Sequence, residues 1–417
     1  MRLNPFVILP LLCLIMTMMY GSEKFVLIYP LQTILMLSSH QLAERISTLA
    51  LEHYSKLQAS GKPVVRSNGV QEWTVLACIV AIGEKNDNIR LVSLATGVKA
   101  TPDRELSRSR GRILHDCHAE ILAVRGFNAV LLRQALMLKL SDDITEMDMV
   151  QKTTNGFCVK DDLSFALYVS RAPCGDASME LLEEDDTAVW TGSELCQYAD
   201  PDIKTVLRGR ANYKKKGFVR TKPGRKDSNI TFSKSCTDKL SCRQVMSLFN
   251  SLNWDLFEKP VFLKYMVVPQ VSQALDNGLL RAFTTRMENI EGVRHLRIIS
   301  CPDKFPDDKL DEAQQPALTG AILLNVAPGT PLVQQCIVNG VKNGSFVKNP
   351  KPLRKNCETI VSRASQWSLF KKIRLSEEDS TYLDFKSRQV GRNALKLKTR
   401  LSLSKDGWVP TKCDDCV

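Results

Sequence analysis

The chain has 417 residues, 44% of them hydrophobic and 24% charged, with a net charge of +12. That composition is ordinary for a globular protein and leaves room for one large catalytic domain or two modest ones. The positive excess suits a polyanionic partner but specifies neither fold nor chemistry. The 13 cysteines, spread from Cys13 to Cys416 without a compact framework, exclude a secreted disulfide scaffold. They fit a reducing compartment in which a few thiols are recruited for metal.

Residues 3–21 (LNPFVILPLLCLIMTMMYG) are nearly all apolar and follow a single Arg2. Such a stretch has the character of a signal peptide or short membrane anchor. A second apolar patch ends near Leu37, and the pattern then changes. Ser38 precedes an amphipathic helical segment with Ile46, Leu49 and Leu51 at apolar positions. Residues 1–37 are therefore set apart, and one α/β domain is expected over 38–417. Met36 is the expected initiator, with residues 1–35 dispensable to a cytoplasmic or nuclear protein. A membrane partner is not expected, although the apolar run leaves an anchor open.

Within the domain, Glu72–Ile82 (EWTVLACIVAI) and Ile89–Leu94 read as two strands of a hairpin, joined by a polar GEKNDN turn. His118–Leu140 has helical spacing, and Ser164–Ser170 reads as a buried strand leading into Ala-Pro-Cys. The terminal Cys413-x-x-Cys416 lacks a second pair nearby and reads as a tail.

Two motifs carry chemistry. His118-Ala119-Glu120 precedes a helical run, and Pro173-Cys174-Gly175-Asp176 follows a strand. A His-x-Glu and a Pro-Cys at the starts of two helices is the arrangement of zinc nucleobase deaminases. One imidazole and two thiolates leave a fourth zinc position open for water. Zinc lowers the pKa of that water, and the neighbouring carboxylate moves its protons. A helix N-terminus also favours the thiolate. The usual second cysteine is missing, because Ala177 stands there. Cys236, in SCTDK, is the candidate third ligand. His115 and Cys117 are expected to pack or support.

HDCHAEIL, APCGDAS and SCTDK, in that order, resemble the catalytic domain of adenosine deaminases acting on RNA and of their tRNA-specific relatives. EWTVLA, SLATGVK, RTKPGR and a late Tyr-x-x-x-Lys extend the resemblance from about Gln41 to Trp408. It implies a cytidine-deaminase-like core sheet flanked by helices. It implies zinc on His118, Cys174 and Cys236, with Glu120 as the proton carrier. It also implies extensions that enclose inositol hexakisphosphate. The matching positions are Arg125, Lys239, Tyr382, Lys386 and Lys396, followed by Trp408, Lys412 and Arg363. Two departures stand out: Arg392 replaces a Tyr of the RNA editors, and Cys242 replaces an Arg.

Residues 208–226 hold nine Lys or Arg, two aromatics and no acid. Lying between two metal-ligand motifs, they are expected at the mouth of the site, against phosphates and unpaired bases. The candidates are Lys214, Lys215, Lys216, Arg220, Lys222 and Arg225, with Thr96 and Lys99 as a second rim. About forty residues precede the domain, too few for a double-stranded RNA-binding module. With Ser178 and the RTKPGR loop, this points to the tRNA type, acting on the adenosine 3′ of the anticodon in alanine tRNA. No obligate protein partner is expected. The alternatives are a deaminase of other structured RNA, an enzyme for free nucleosides, or a noncatalytic zinc protein that binds RNA.

Overall fold

A computed structural model describes residues 13–20, 23–30, 38–182, 198–200, 202–210, 212–222, 228–311, 313–345, 351–374 and 381–417. The core is an eight-stranded sheet. Its strands are β1 (Leu76–Gly83), β2 (Ile89–Thr96), β3 (Leu163–Val169), β4 (Leu263–Pro269), β5 (Arg297–Cys301), β6 (Thr319–Leu324), β7 (Val333–Val338) and β8 (Val341–Lys342). Their spatial order is β5-β4-β3-β1-β2-β6-β7-β8. β3, β4 and β5 run parallel, and the remaining neighbours are antiparallel. The chain therefore has a mixed α/β core. The expected β1–β2 hairpin is present, although the first strand of the run breaks after Trp73.

The helices are α1 (Ser39–Ser55), α2 (Ala119–Leu140), α3 (Cys236–Met246), α4 (Ser251–Leu256), α5 (Gln273–Phe283), α6 (Arg363–Arg374), α7 (Tyr382–Ser387) and α8 (Val390–Leu403). Ser38 opens α1 with a reciprocal cap: its hydroxyl accepts from the Gln41 N–H, and the Gln41 side-chain oxygen accepts from the Ser38 N–H. The buried stripe of α1 is Leu42, Ala43, Ile46, Ala50 and Tyr54, while Leu49 and Leu51 are only half-buried. Upstream, Cys13–Tyr20 and Glu23–Pro30 pair as a separate antiparallel hairpin that does not join the main sheet.

β1 shows why its sequence is an unbroken apolar run. Leu76, Cys78, Val80 and Ile82 face α1, whereas Ala77, Ile79 and Ala81 face the cluster built around α2. Both faces of the strand are covered, so neither alternate set is polar. α2 is long and apolar enough to cross a membrane, but most of it is buried in the core. Gly126 lets it lie close to the sheet. A Cβ there would meet the Ser93 Cβ at 2.7 Å and a Leu324 methyl at 2.9 Å. The Ser93 hydroxyl donates to the Ala123 carbonyl at 2.7 Å across the same contact.

Helix–sheet contact this close has no room for a branched side chain. Gly126→Val is expected to destabilise the fold by about 1–3 kcal/mol through overpacking. Chemical denaturation followed by circular dichroism measures it, and an unchanged midpoint would refute the contact.

Candidate metal centre and its basic surroundings

β2 and β3 end beside the start of β1, at one end of the central strands. A short strand, Asp116–His118, pairs there with Val98–Ala100, and His118 becomes the N-cap of α2. Cys174 follows β3. Cys236 is the first residue of α3, whose N-cap Ser235 accepts from the Asp238 N–H. The donor atoms of His118, Cys174 and Cys236 all lie within 4.8 Å of one another. This cluster is compatible with zinc, and Cys236, the candidate third ligand, lies within it.

The PCGD segment is stitched to α3 rather than starting its own helix. Only a 3-10 turn, Asp176–Ser178, follows Cys174. The helix N-terminus comes from across space: the Cys236 N–H points at the Cys174 sulfur at 3.4 Å. Thr237 donates its N–H and its hydroxyl to the Cys174 carbonyl at 3.1 and 3.0 Å. Gly175 makes this approach possible with φ of 106°, and a Cβ there would sit 2.2 Å from the Ser235 hydroxyl oxygen. Cys174 is held well below the ordinary thiol range, first by the hydrogen bond with Cys236 and further by Lys222 and His118.

Glu120 is buried in the first turn of α2, and burial raises its carboxyl pKa. Its Oε2 has no hydrogen-bond partner among the described residues. A buried carboxyl oxygen left open beside three ligand atoms has the position needed for moving protons at a reacting group. The cavity in front of it measures about 820 Å³ and is lined by His118, Glu120 and Cys174 together with Lys99, Arg104 and Arg210.

Three of the expected RNA contacts are buried, although Arg220 and Lys222 also line the cavity. Lys222 is buried and donates to both oxygens of Asp116 at 2.7 and 2.8 Å and to the Cys236 sulfur at 3.1 Å. Arg220 is fully buried and donates to the carbonyls of Gly209, Asn212 and Lys215 at 3.1, 3.1 and 2.7 Å. Thr96 is fully buried in β2, where its hydroxyl donates to the Gly61 carbonyl at 3.3 Å. Arg220 and Lys222 serve the interior because the chain enters a short strand, Val219–Thr221, soon after the exposed lysines, and Thr96 does so as the last residue of β2. Lys214 and Lys215 are exposed, and Lys99 is half-buried at the cavity. Lys216 pairs with Glu180 at 3.3 Å. Arg225 lies outside the described residues.

Behind the metal cluster is a group of buried cations. Arg125, on α2, donates to the Val361 carbonyl at 3.0 and 2.6 Å and feels Arg363 and Tyr382. Burial pushes Lys396 down to about 6, with Lys386, Arg400 and Arg392 adding to the effect. Lys234 falls to about 7 through burial and then through Lys239 and Arg400. Nε and Nη1 of Arg392, and Nε1 of Trp408, are buried without a hydrogen-bond partner among the described residues. Such a group matches a multiply charged anion. Arg392 therefore adds a cation where the RNA editors carry Tyr. Cys242 is one of the groups beside Lys396 and Arg400. Lys412 is exposed in the tail and has no place among the buried cations. Lys239 pairs with Asp116 and donates to the Ser233 hydroxyl at 2.7 Å.

The sequence reading missed Asp116, Arg243 and Arg400. Arg400 had a visible signal: Arg392, Lys396 and Arg400 recur every four residues on α8. Near the other motif, His115 contacts Asp414 of the tail at 2.7 Å, and Cys117 is buried in the core. In the tail itself, Cys413 is exposed while Cys416 is buried.

A family model for the adenosine-deaminase (editase) domain matches residues 93–391. The chain belongs to this family. It is similar to tRNA-specific adenosine deaminase 1 of Saccharomyces cerevisiae, 46% identical over 384 residues, covering 91% of this chain and 95% of the relative. The protein of the same name from Schizosaccharomyces pombe is 32% identical over 382 residues, covering 88% of this chain and 94% of the relative. Double-stranded RNA-specific editase B2 of Mus musculus is 26% identical over 254 residues, covering 60% of this chain and 33% of the relative. Within this editase domain, Lys222 sits beside the ligand sulfur as a structural cation and not as a surface contact.

Lys222→Met tests that placement. Removing one member of a buried ion pair is expected to cost on the order of 3 kcal/mol and to lower bound metal. Urea unfolding and metal analysis measure the two effects. Normal stability together with weakened RNA binding would restore Lys222 to the surface role.

Proposed function

We propose that the protein is a zinc-dependent hydrolytic deaminase that converts adenosine to inosine in tRNA, at the adenosine 3′ of the anticodon in alanine tRNA. The observation that carries this reading is the open Glu120 oxygen beside the His118, Cys174 and Cys236 donor atoms. The matches to tRNA-specific deaminases over nearly the whole chain support the substrate class. Zinc, when bound by these three residues, would supply an activated water near neutral pH.

The residues of the chain do the rest. Water adds at C6 of adenine and ammonia leaves. Glu120 takes a proton from the water and delivers protons to the ring and to the departing amine. Burial favours its protonated form, which suits the delivery step. The reacting base must leave any stack to reach the cavity, and an anticodon loop presents adenines already partly unpaired. Lys214 and Lys215 are placed to meet phosphates at the surface. The thiol ligands suit a reducing cytosol or nucleus, to which we assign the reaction.

The buried cations are assigned to inositol hexakisphosphate. Arg125, Arg363, Tyr382, Lys386, Lys396 and Trp408 would hold it, together with Arg243, Arg392 and Arg400. Lys239 stands at the border with the metal cluster, where Asp116 already pairs with it.

Glu120→Gln is expected to keep metal content and fold while lowering inosine formation on the order of 10²–10⁴-fold. Primer extension or mass spectrometry on treated tRNA measures it, and near-normal turnover would refute the assignment.

The polyphosphate assignment carries its own sign. Lys396 has an ordinary value of 10.5 and a folded value near 6. The folded chain without its anion thus resists protonation across that window and loses stability as pH falls through it. A bound polyanion reverses this preference. Added inositol hexakisphosphate should raise the melting temperature of anion-depleted protein, and more at about pH 6.5 than at about pH 9, two values inside that window. Equal shifts at both values, or none, would count against the site.

A further inference from the structure

One wall of the cavity has no part in the chemistry described above. It comes from three distant pieces of chain. Trp73 belongs to the short strand Glu72–Trp73, which pairs with Gln315–Pro316. The Ala317 N–H donates to the Trp73 carbonyl at 2.8 Å, fixing the backbone. Arg171 lies three residues before Cys174, and its guanidinium sits 5.8 Å from the Trp73 ring centre. Asp308 holds Arg171 from the side at 3.1 Å and leaves its side chain 38% exposed. Trp73, Arg171 and Leu318 line the same cavity as Glu120, and Leu318 is 57% exposed.

The cavity is larger than one nucleoside requires. Its 820 Å³ lies toward the upper end of the roughly 300–1,000 Å³ typical of small-molecule pockets. An indole with a guanidinium beside its face is a stacking platform for a base, and it tolerates any base because each has a π-face. Proteins that read unpaired RNA use aromatic and guanidinium planes in this way. In a duplex the neighbouring base stays in the helical stack and would not reach such a platform.

We propose that Trp73 and Arg171 form a stacking subsite for the base of an unpaired nucleotide flanking the reacting adenosine. This rests on the RNA deaminase reading and narrows it to substrates whose target lies in a loop. Trp73 and Arg171 would position the RNA without touching the reacting atoms.

The test measures binding, which requires no turnover. Three hairpin RNAs carry the anticodon loop of alanine tRNA: one intact, one abasic 5′ of the target adenosine and one abasic 3′ of it. Fluorescence anisotropy gives Kd for the zinc-loaded wild type, Trp73→Ala and Trp73→Phe. Trp73→Ala is expected to weaken binding of the intact hairpin on the order of tenfold, the value of one lost stack. Trp73→Phe should retain most of the affinity. One abasic hairpin should bind wild type equally weakly, and Trp73→Ala should weaken that complex no further. Arg171→Gln provides the same comparison if Trp73→Ala fails to fold. Equal weakening on all three hairpins, or no weakening on the intact one, would overturn the subsite. Absence of inosine from every tRNA treated with wild type would instead overturn the functional reading, and the binding comparison would still decide the subsite.

Discussion

The buried carboxylate of Asp116 links the metal-ligand cluster to the buried cations. It accepts two hydrogen bonds from Lys222, pairs with Lys239 and accepts the His118 N–H at 3.0 Å. Burial alone would raise its pKa, but the two lysines outweigh that effect and hold it well below the usual carboxylate range. Through Lys222 the same charge reaches the Cys236 sulfur. Through Lys239 it reaches the border of the buried cations, where Lys234 feels the Lys239 charge. Removing any one of these charges would leave its partner desolvated and unpaired.

The cations set the second constraint. α8 buries cations on the same face as its packed leucines, Leu395 and Leu403. Arg392, Lys396 and Arg400 are partly buried on one face, while Val390, Leu397 and Leu401 are exposed at 75%, 59% and 44% on the other. A helix normally buries its apolar stripe, because burying charge is far costlier than exposing a leucine. Cations on that buried face fit the interior if an anion neutralises them. Arg125 and Arg243, both lowered to about 10 by burial, belong to the same neighbourhood. The proposed polyphosphate would meet the electrostatic requirement that these buried cations create.

The basic loop shows a division of labour within a single charge run. Arg220 points inward and holds the loop backbone by three carbonyls, so its charge shapes the surface without forming it. Asp176 of the PCGD motif accepts from the Gly217 N–H at 2.6 Å and from Arg281 at 3.1 Å, tying the loop to the metal-ligand segment. Lys214 and Lys215 remain outside. Their placement depends on the inward residues that flank them.

Much of the chemistry was legible in the sequence. His118, Glu120 and Cys174 sit in short motifs, where adjacent residues and strand or helix ends constrain the geometry locally. The apolar run of β1, the cap at Ser38 and the length of α2 are likewise properties of neighbouring residues. Charge runs carry no such local constraint, and a lysine reads the same whether it meets solvent, a phosphate or a buried aspartate. The tertiary structure alone decided that Lys222 and Arg220 point inward, that Arg243 joins the buried cations, and that Trp73 and Arg171 meet across nearly a hundred residues. Those assignments depend on which distant backbone segments the sheet brings together, and a side chain's partner across the fold is set by that packing rather than by its own neighbours in the chain.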